Sequence, residues 1–459
     1  MSRVVAEKKL GSVPKLRSVP DGTDGAVSVK SLQARRRHLA RQLGGGVAVI
    51  PTAPERLRNA DTHYPYRWDS HFHYLTGFHE PEAVLVLIGG KAPRSVLFCR
   101  PRDAQSEIWN GYRVGPRAAR TRFGMDETHP IGELEARLPG LLANCPTLHT
   151  MIGLDDAWDR RVTGWLNAVR AKVRSGVTAP AAVCEVRHAL DEMRLIKDAG
   201  EIKLMKQAAA ISVSAHRRAM LFTQPGHSEF HVEAELLHEF RRHGSEAPAY
   251  PSIVAGGANA CVLHYVENNA SLKDGDLLLI DAGCEWQGYA SDITRTFPVN
   301  GKFSGAQRDL YEIVLAAQGA ALRMVKPGAP FVAYHEAAVR VLVQGLIDLK
   351  LCRGSVDGVI ESGDYRRFYM HRTGHWLGRD VHDVGEYSVG GRSRRLQPGM
   401  VLTVEPGLYV RPDERVPKAY HHMGIRIEDD VVVTAKGHTV LTAGAPKTVA
   451  DIESLMARR

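Results

Sequence analysis

Four strand-like stretches of this 459-residue chain carry a carboxylate where a core strand should have none. DLLLIDAG (Asp276–Gly283) is apolar enough to be buried on both faces of a sheet, yet it ends in Asp281. VLTVEPG ends the same way, in Glu405. GIRIEDD alternates so that Gly424, Arg426 and Glu428 share one face while Ile425 and Ile427 take the other. In YASDITRTFPV (Tyr289–Val299), Asp292 and Thr294 share a face. A single acid at a strand end is ordinarily a turn or cap residue, and Glu428 alone reads as an ion-pair partner of Arg426. Four such acids are a different matter. Buried carboxylates are costly unless paired or bound to metal, and the local Lys and Arg are too few to neutralise all four. A cation site resolves the conflict.

Histidines join these acids. FYMHRTGHWLGRDVHDVG holds His371, His375 and His382. The i, i+4 spacing of His371 and His375 suggests the helical zinc pattern HExxH, but Arg372 stands where that pattern needs Glu. Gly374 and Gly378 also oppose a stable helix, so a plain HExxH peptidase is disfavoured.

The chain is long enough for more than one core. VAVI (Val47–Ile50), AVLVLI (Ala83–Ile88) and SVLFC (Ser95–Cys99) read as strands, and helical patterns alternate with short apolar runs to about residue 180. A long helical stretch is expected over 181–218, divided near Asp198, and two helices are expected between Val299 and Met400. The expected organisation is a flexible tail over 1–26, an N-terminal α/β domain over 27–195 and a catalytic domain over 196–459.

The net charge of +9 suggests a nucleic-acid partner until it is mapped. Residues 1–41 carry ten Lys or Arg against three acids, so the body is close to neutral. Arg35, Arg36, Arg37 and Arg41 are expected on the solvent face of a first helix spanning roughly 30–43. Neither nucleic-acid binding nor a membrane span is expected. The six cysteines form no CxxC pair and the N-terminus lacks a secretory pattern, which fits a reducing cytoplasm.

From about residue 28 onward, IDAGCEWQGYASDITRTFPVNGKF, CVLHYVENN, MHRTGHWLGRDVHDVG, PGMVLTVEPGLYV and YPYRWDSHFHYLTGFHEPEAVLVLIGG resemble the aminopeptidase P group. These are proline-specific members of the pita-bread metallopeptidases. The resemblance implies an α/β chain: an N-terminal domain with a mixed sheet, then a pita-bread catalytic domain. It implies two metal ions on Asp281, Asp292, His375, Glu405 and Glu428, with Asp292 and Glu428 bridging and Glu405 acting as general base. Four carboxylates and one imidazole are a hard donor set that favours manganese, and two such ions together deprotonate a shared water.

The resemblance further assigns His264, His371 and His382 to the substrate's scissile carbonyl, and Arg426 to the Glu428 side of the site and the histidine network. It implies peptides with proline second as substrates, and a homo-oligomer, dimer or tetramer, in which Trp109 reaches a neighbouring active site. A core position is the competing reading of Trp109.

Two residues depart from the family pattern. A small residue is usual at 372 and Ser is common at 374, whereas Arg372 and Gly374 stand here. Arg372 has either a substrate carboxylate or a neighbouring acid to meet. The runner-up activity is a prolidase restricted to Xaa-Pro dipeptides. A non-catalytic scaffold binding histones, RNA or protein, or a metal-free hydrolase, would be expected to lack ligands that this sequence retains.

Overall fold

Alternation along the first strands sets the N-terminal architecture. Val47, Val49, Val84, Val86, Val96 and Phe98 face one side, where they pack with Leu138, Trp158 and Trp165. Ala48, Ile50, Leu85, Leu87 and Leu97 face the other and pack with Leu39, Phe72, Phe78 and Phe123. Helices therefore cover both faces of one sheet. The computed structural model describes residues 27–459, so the tail expected over 1–26 lies outside the described residues.

The six strands of this sheet run in the order Glu127–Pro130, Arg94–Cys99, Val84–Ile88, Val47–Pro51, Thr147–Thr150, Ala182–Glu185. The central pairings are antiparallel and the outer ones parallel, which is the mixed sheet expected. Ala182–Glu185 lies inside the stretch read as helical. It is an edge strand with mostly exposed side chains, so it carries no alternating apolar signature. Helix begins only at Arg187–Leu195, and Ala199–Phe222 follows, opened by a capping box of Asp198 and Glu201.

The first helix, Val29–Gln42, corrects a second expectation. Arg37 and Arg41 are exposed, but Arg35 and Arg36 are 6% and 3% exposed. Arg35 pairs with Asp198 at 2.8 Å and Glu201 at 3.1 Å, and lies over the Tyr74 ring. Arg36 donates to the carbonyls of Leu75, Phe123 and Gly124, the orphan acceptors where short helices end. Burial, with no carboxylate in ion-pair reach among the described residues, lowers its pKa to about 10. These charges are consumed inside the protein, one of them in fastening the first helix to Ala199–Phe222.

Beyond Leu195 a separate and larger apolar cluster takes over. Ile253–Gly256, Leu277–Asp281 and Thr294–Pro298 form an antiparallel trio. Val401–Val404 pairs with Asp429–Thr434, and Gly407–Val410 with Met423–Arg426. Long helices Ala199–Phe222, Glu229–Arg242, Gly305–Met324 and Val332–Asp348 surround them. A third helix, Val356–Ser362, joins the two expected between Val299 and Met400. Among the described residues no helix is long and apolar enough to cross a membrane.

Candidate metal centre

All four carboxylates sit where a strand leaves its ladder. Asp281 closes Leu277–Asp281, and its register partner Thr294 opens the neighbouring strand two residues after Asp292. Glu405 lies between Val401–Val404 and Gly407–Val410, and Glu428 between Met423–Arg426 and Asp429–Thr434. At such breaks a side chain turns into the sheet crevice without interrupting the apolar pattern on either side.

Asp292, His375 and Glu428 each offer one ligand atom, and the three atoms lie within 4.8 Å of one another. His375 Nε2 is 3.4 Å from Asp292 Oδ2 and 3.7 Å from Glu405 Oε1. The other ring nitrogen, Nδ1, faces the Trp376 carbonyl at 2.9 Å, which points Nε2 at the acids. Asp281 joins through Tyr250, whose hydroxyl lies 2.7 Å from Asp281 Oδ1 and 2.5 Å from Asp292 Oδ1. One hydroxyl proton cannot serve two anions, so this contact leaves the pair short of positive charge.

The charge balance favours Asp292, held against burial below the usual range by His375 and Tyr250, and disfavours the other three acids. Burial, followed by the charges of Asp292, Glu405 and Asp281, pushes Glu428 far above the usual carboxylate range. Its Oε2 accepts from Thr294 at 2.6 Å, but its buried Oε1 has no partner among the described residues. Burial raises Glu405 to about 7. Asp281 is also raised by burial, although Arg426 Nη2 sits 2.6 Å from its Oδ2. Burial works against charge on His375, yet Asp292 and Glu405 outweigh it and lift the imidazole to about 9. An orphaned Glu428 oxygen and carboxylates that keep their protons in default of positive charge fit divalent cations. The donor set is oxygen-rich and free of thiolate.

Arg426 reaches both the Glu428 side of the site, through Thr294, and the histidine network, through Tyr409. It forms its ion pair with Asp281 rather than with Glu428, because Thr294 stands between it and Glu428, accepting from Arg426 Nε at 3.0 Å. Its Nη1 donates to the Tyr409 hydroxyl at 2.8 Å, and that hydroxyl meets His371 Nε2 at 2.9 Å. His371 Nδ1 faces the Arg372 carbonyl, so both ring nitrogens are engaged within the protein. Burial and the nearby Arg426 lower His371 to about 3, leaving it neutral.

His264 and His382 are exposed at the rim, and burial followed by the charge of His375 lowers the pKa of His382. The His382 ring stands edge-on to His375 with centroids 4.4 Å apart. Trp109 is 82% exposed on helix Ala104–Asn110, which has no buried residue, so the core reading of this tryptophan fails. Arg372 is exposed, with no carboxylate in ion-pair reach among the described residues. Gly374 has a packing reason, since a Cβ there would lie 2.0 Å from the Thr403 carbonyl. Its absence lets His375 and Thr373 accept backbone bonds from Thr403 and Glu405 at 2.9 and 2.8 Å.

Tyr250, Tyr409 and Asp430, which accepts the Asp292 N–H, were not foreseeable from pattern. Tyr250 lies in a turn flanked by Pro248 and Pro251, with no fixed spacing to either aspartate. The prolines signal a turn and nothing about its contacts.

Residues 203–435 match the model of Metallopeptidase family M24, and residues 32–149 that of the aminopeptidase P N-terminal domain. The chain is 47% identical to the Xaa-Pro aminopeptidase of Escherichia coli (strain K12), covering 94% of this chain and 98% of that one. It is 35% identical to human Xaa-Pro aminopeptidase 3 over 89% of this chain and 80% of the relative. Among solved structures, aminopeptidase PepP of Pseudomonas aeruginosa superposes with a TM-score of 0.93 at 51% identity, covering 94% of this chain and 98% of that one.

Proposed function

The chain belongs to metallopeptidase family M24, and on that premise we propose that it releases the first residue of peptides whose second residue is proline. It is a metallo-exopeptidase with a pita-bread catalytic domain. The observation that carries the reading is the buried Glu428 carboxylate, with one oxygen unpartnered, facing Asp292 and His375. Asp281, Asp292, His375, Glu405 and Glu428 would hold two divalent ions, with Asp292 and Glu428 shared between them. The absence of thiolate favours manganese. When bound, the ions supply Lewis acidity and lower the proton affinity of water in the cleft.

The chain's own groups do the rest. Glu405, 3.7 Å from His375 Nε2 at the cluster, is placed to take a proton from the attacking water and return it. The recipient is the proline nitrogen, which leaves a tertiary amide as a secondary amine and needs that proton. An Xaa-Pro bond offers no N–H to grip, so orientation falls to His264 and His382 on the carbonyl side. His371, bound at both nitrogens, transmits the position of Arg426 and Tyr409 to the Glu405 wall.

The division at 195/196 is supported by apolar clusters that end at Leu190 on one side and begin at Leu195 on the other. A homo-oligomer is supported by Ile108, Trp109 and Tyr112, which stand 80%, 82% and 90% exposed and which another copy would cover. Six unpaired cysteines, four of them buried, suit the cytoplasm.

The test offers manganese-loaded protein an Xaa-Pro-Yaa tripeptide and the Xaa-Pro dipeptide. Faster release of the first residue from the tripeptide is expected. Preference for the dipeptide would make the protein a prolidase, and no cleavage of either would remove the enzyme reading.

A further inference from the structure

His382 is exposed at the rim of the metal cluster, yet the backbone on either side of it is tightly held. Upstream, the Arg379 carbonyl accepts from Arg67 Nη2 at 2.8 Å. Asp380 Oδ1 accepts from Ser70 Oγ at 2.6 Å and from Arg67 Nη2 at 3.2 Å, while its Oδ2 accepts from Arg194 at 2.6 Å. Downstream, Asp383 is buried against Arg194 at 2.5 Å and Lys197 at 2.8 Å, and its N–H donates to the Trp376 carbonyl. Arg67 is itself aimed by Glu285 at 2.8 Å.

Arg67 and Ser70 belong to the N-terminal domain, more than three hundred residues away in sequence from the loop they hold. Both Arg67 and His382 line an open cavity of about 320 Å³, shared with Ala249, Glu285 and Val381, and no hydrogen bond joins the two. Arg67 therefore acts on the loop's backbone and on Asp380, not on the imidazole.

We propose that Arg67 and Ser70 are positioning residues for hydrolysis: from outside the catalytic domain they fix the 379–383 loop, and with it the angle at which His382 meets the scissile carbonyl. This rests on the reading of His382 as a substrate contact. Among the candidate ligands only His375 is near this loop, and its own bonds to Thr403 and the Trp376 carbonyl hold it independently, so the two residues bear on turnover rather than on metal affinity.

A double-mutant cycle tests this with Arg67→Met, His382→Ala and the two combined, measured as kcat and KM on an Xaa-Pro-Yaa tripeptide beside a manganese titration. Arg67→Met is expected to lower kcat by about 10-fold, the scale of a sub-ångström misplacement, with manganese affinity unchanged. Combined with His382→Ala it is expected to cost nothing further. Ser70→Ala, which removes the hydrogen bonds to Asp380 and from Arg67 but leaves both charges paired, should show a loss of roughly 3-fold and the same non-additivity. Additive losses, or weakened manganese binding, would overturn the proposal while leaving the aminopeptidase reading in place. Full activity in His382→Ala would instead overturn the substrate role of His382, and this proposal with it.

Discussion

Glu428 and Asp429 are consecutive residues, each about as buried as a side chain can be, and their surroundings are opposite. Asp429 meets Arg295 at 2.7 Å, Lys447 at 2.6 Å, Thr442 at 2.8 Å and Gln318 at 3.0 Å. Burial opposes its charge, but Arg295 and Lys447 prevail and hold it below the usual range. Among the described residues Glu428 has one threonine on one oxygen, nothing on the other, and three further carboxylates around it. Stepping one residue along the chain moves from a carboxylate that the protein neutralises itself to one it leaves for an ion. Burial of an acid therefore does not identify function by itself; an acid buried without compensation does.

Substitutions on the two sides should fail in different ways. Asp292→Ala is expected to abolish nearly all turnover, well beyond the ~10–100-fold that loss of an outer partner costs. Glu428→Gln, which removes the uncompensated charge, should leave the metal-free protein as stable as before. Substantial residual hydrolysis in Asp292→Ala, or a large drop in the metal-free melting temperature of Glu428→Gln, would break the contrast. Asp429→Ala should do the reverse. It strands Arg295, which is fully buried, and is expected to cost about 3–5 kcal/mol of stability by denaturant titration, with metal binding retained by the folded fraction.

A pH series separates the same two states. Without metal, His375 binds its proton up to about 9 instead of 6.5, so its contribution is complete below pH 6.5 and lost as pH rises to about 9. Glu405, at about 7 instead of 4.5, loses stability in the same direction over its own lower range. His371, held near 3, opposes them only below 6.5. The chelated protein should thus melt progressively lower between pH 6.5 and 9. Saturating manganese should reverse the trend, because binding requires a neutral His375 and so strengthens as protons leave. A chelated protein that gains stability across this window would contradict the picture.

The smallest effect is expected at Arg372. Among the described residues it meets no acid, and a substrate carboxylate is the partner to test. Arg372→Ala should lower kcat/KM for tripeptides with a free C-terminus by about 3–5-fold, the worth of one exposed ion pair, and spare their amides. Equal effects on both would remove that role.

The four acids of the candidate metal centre were legible because each breaks a strong rule, an acid in an otherwise apolar strand. Strand positions were legible for the same reason, as the alternation of Val47–Ile50 and Ala83–Ile88 shows on the two faces of the sheet. What stayed hidden were contacts without periodicity. Arg35 and Arg36 look like surface charge in sequence, and only the docking of the first helix on Asp198, Glu201 and three carbonyls buries them. Arg426 shares a strand face with Glu428, yet Thr294 diverts it to Asp281. Ala182–Glu185, at a sheet edge, has too little burial to carry a pattern.

Calorimetric titration of the metal-depleted protein with manganese, beside Glu428→Gln, addresses the central claim most directly. Two ions per chain are expected for the wild type, with release of protons and a raised melting temperature. Glu428→Gln should bind markedly more weakly while its metal-free form melts no lower. A wild-type chain that binds no manganese, or a variant that binds it unchanged, would contradict the account.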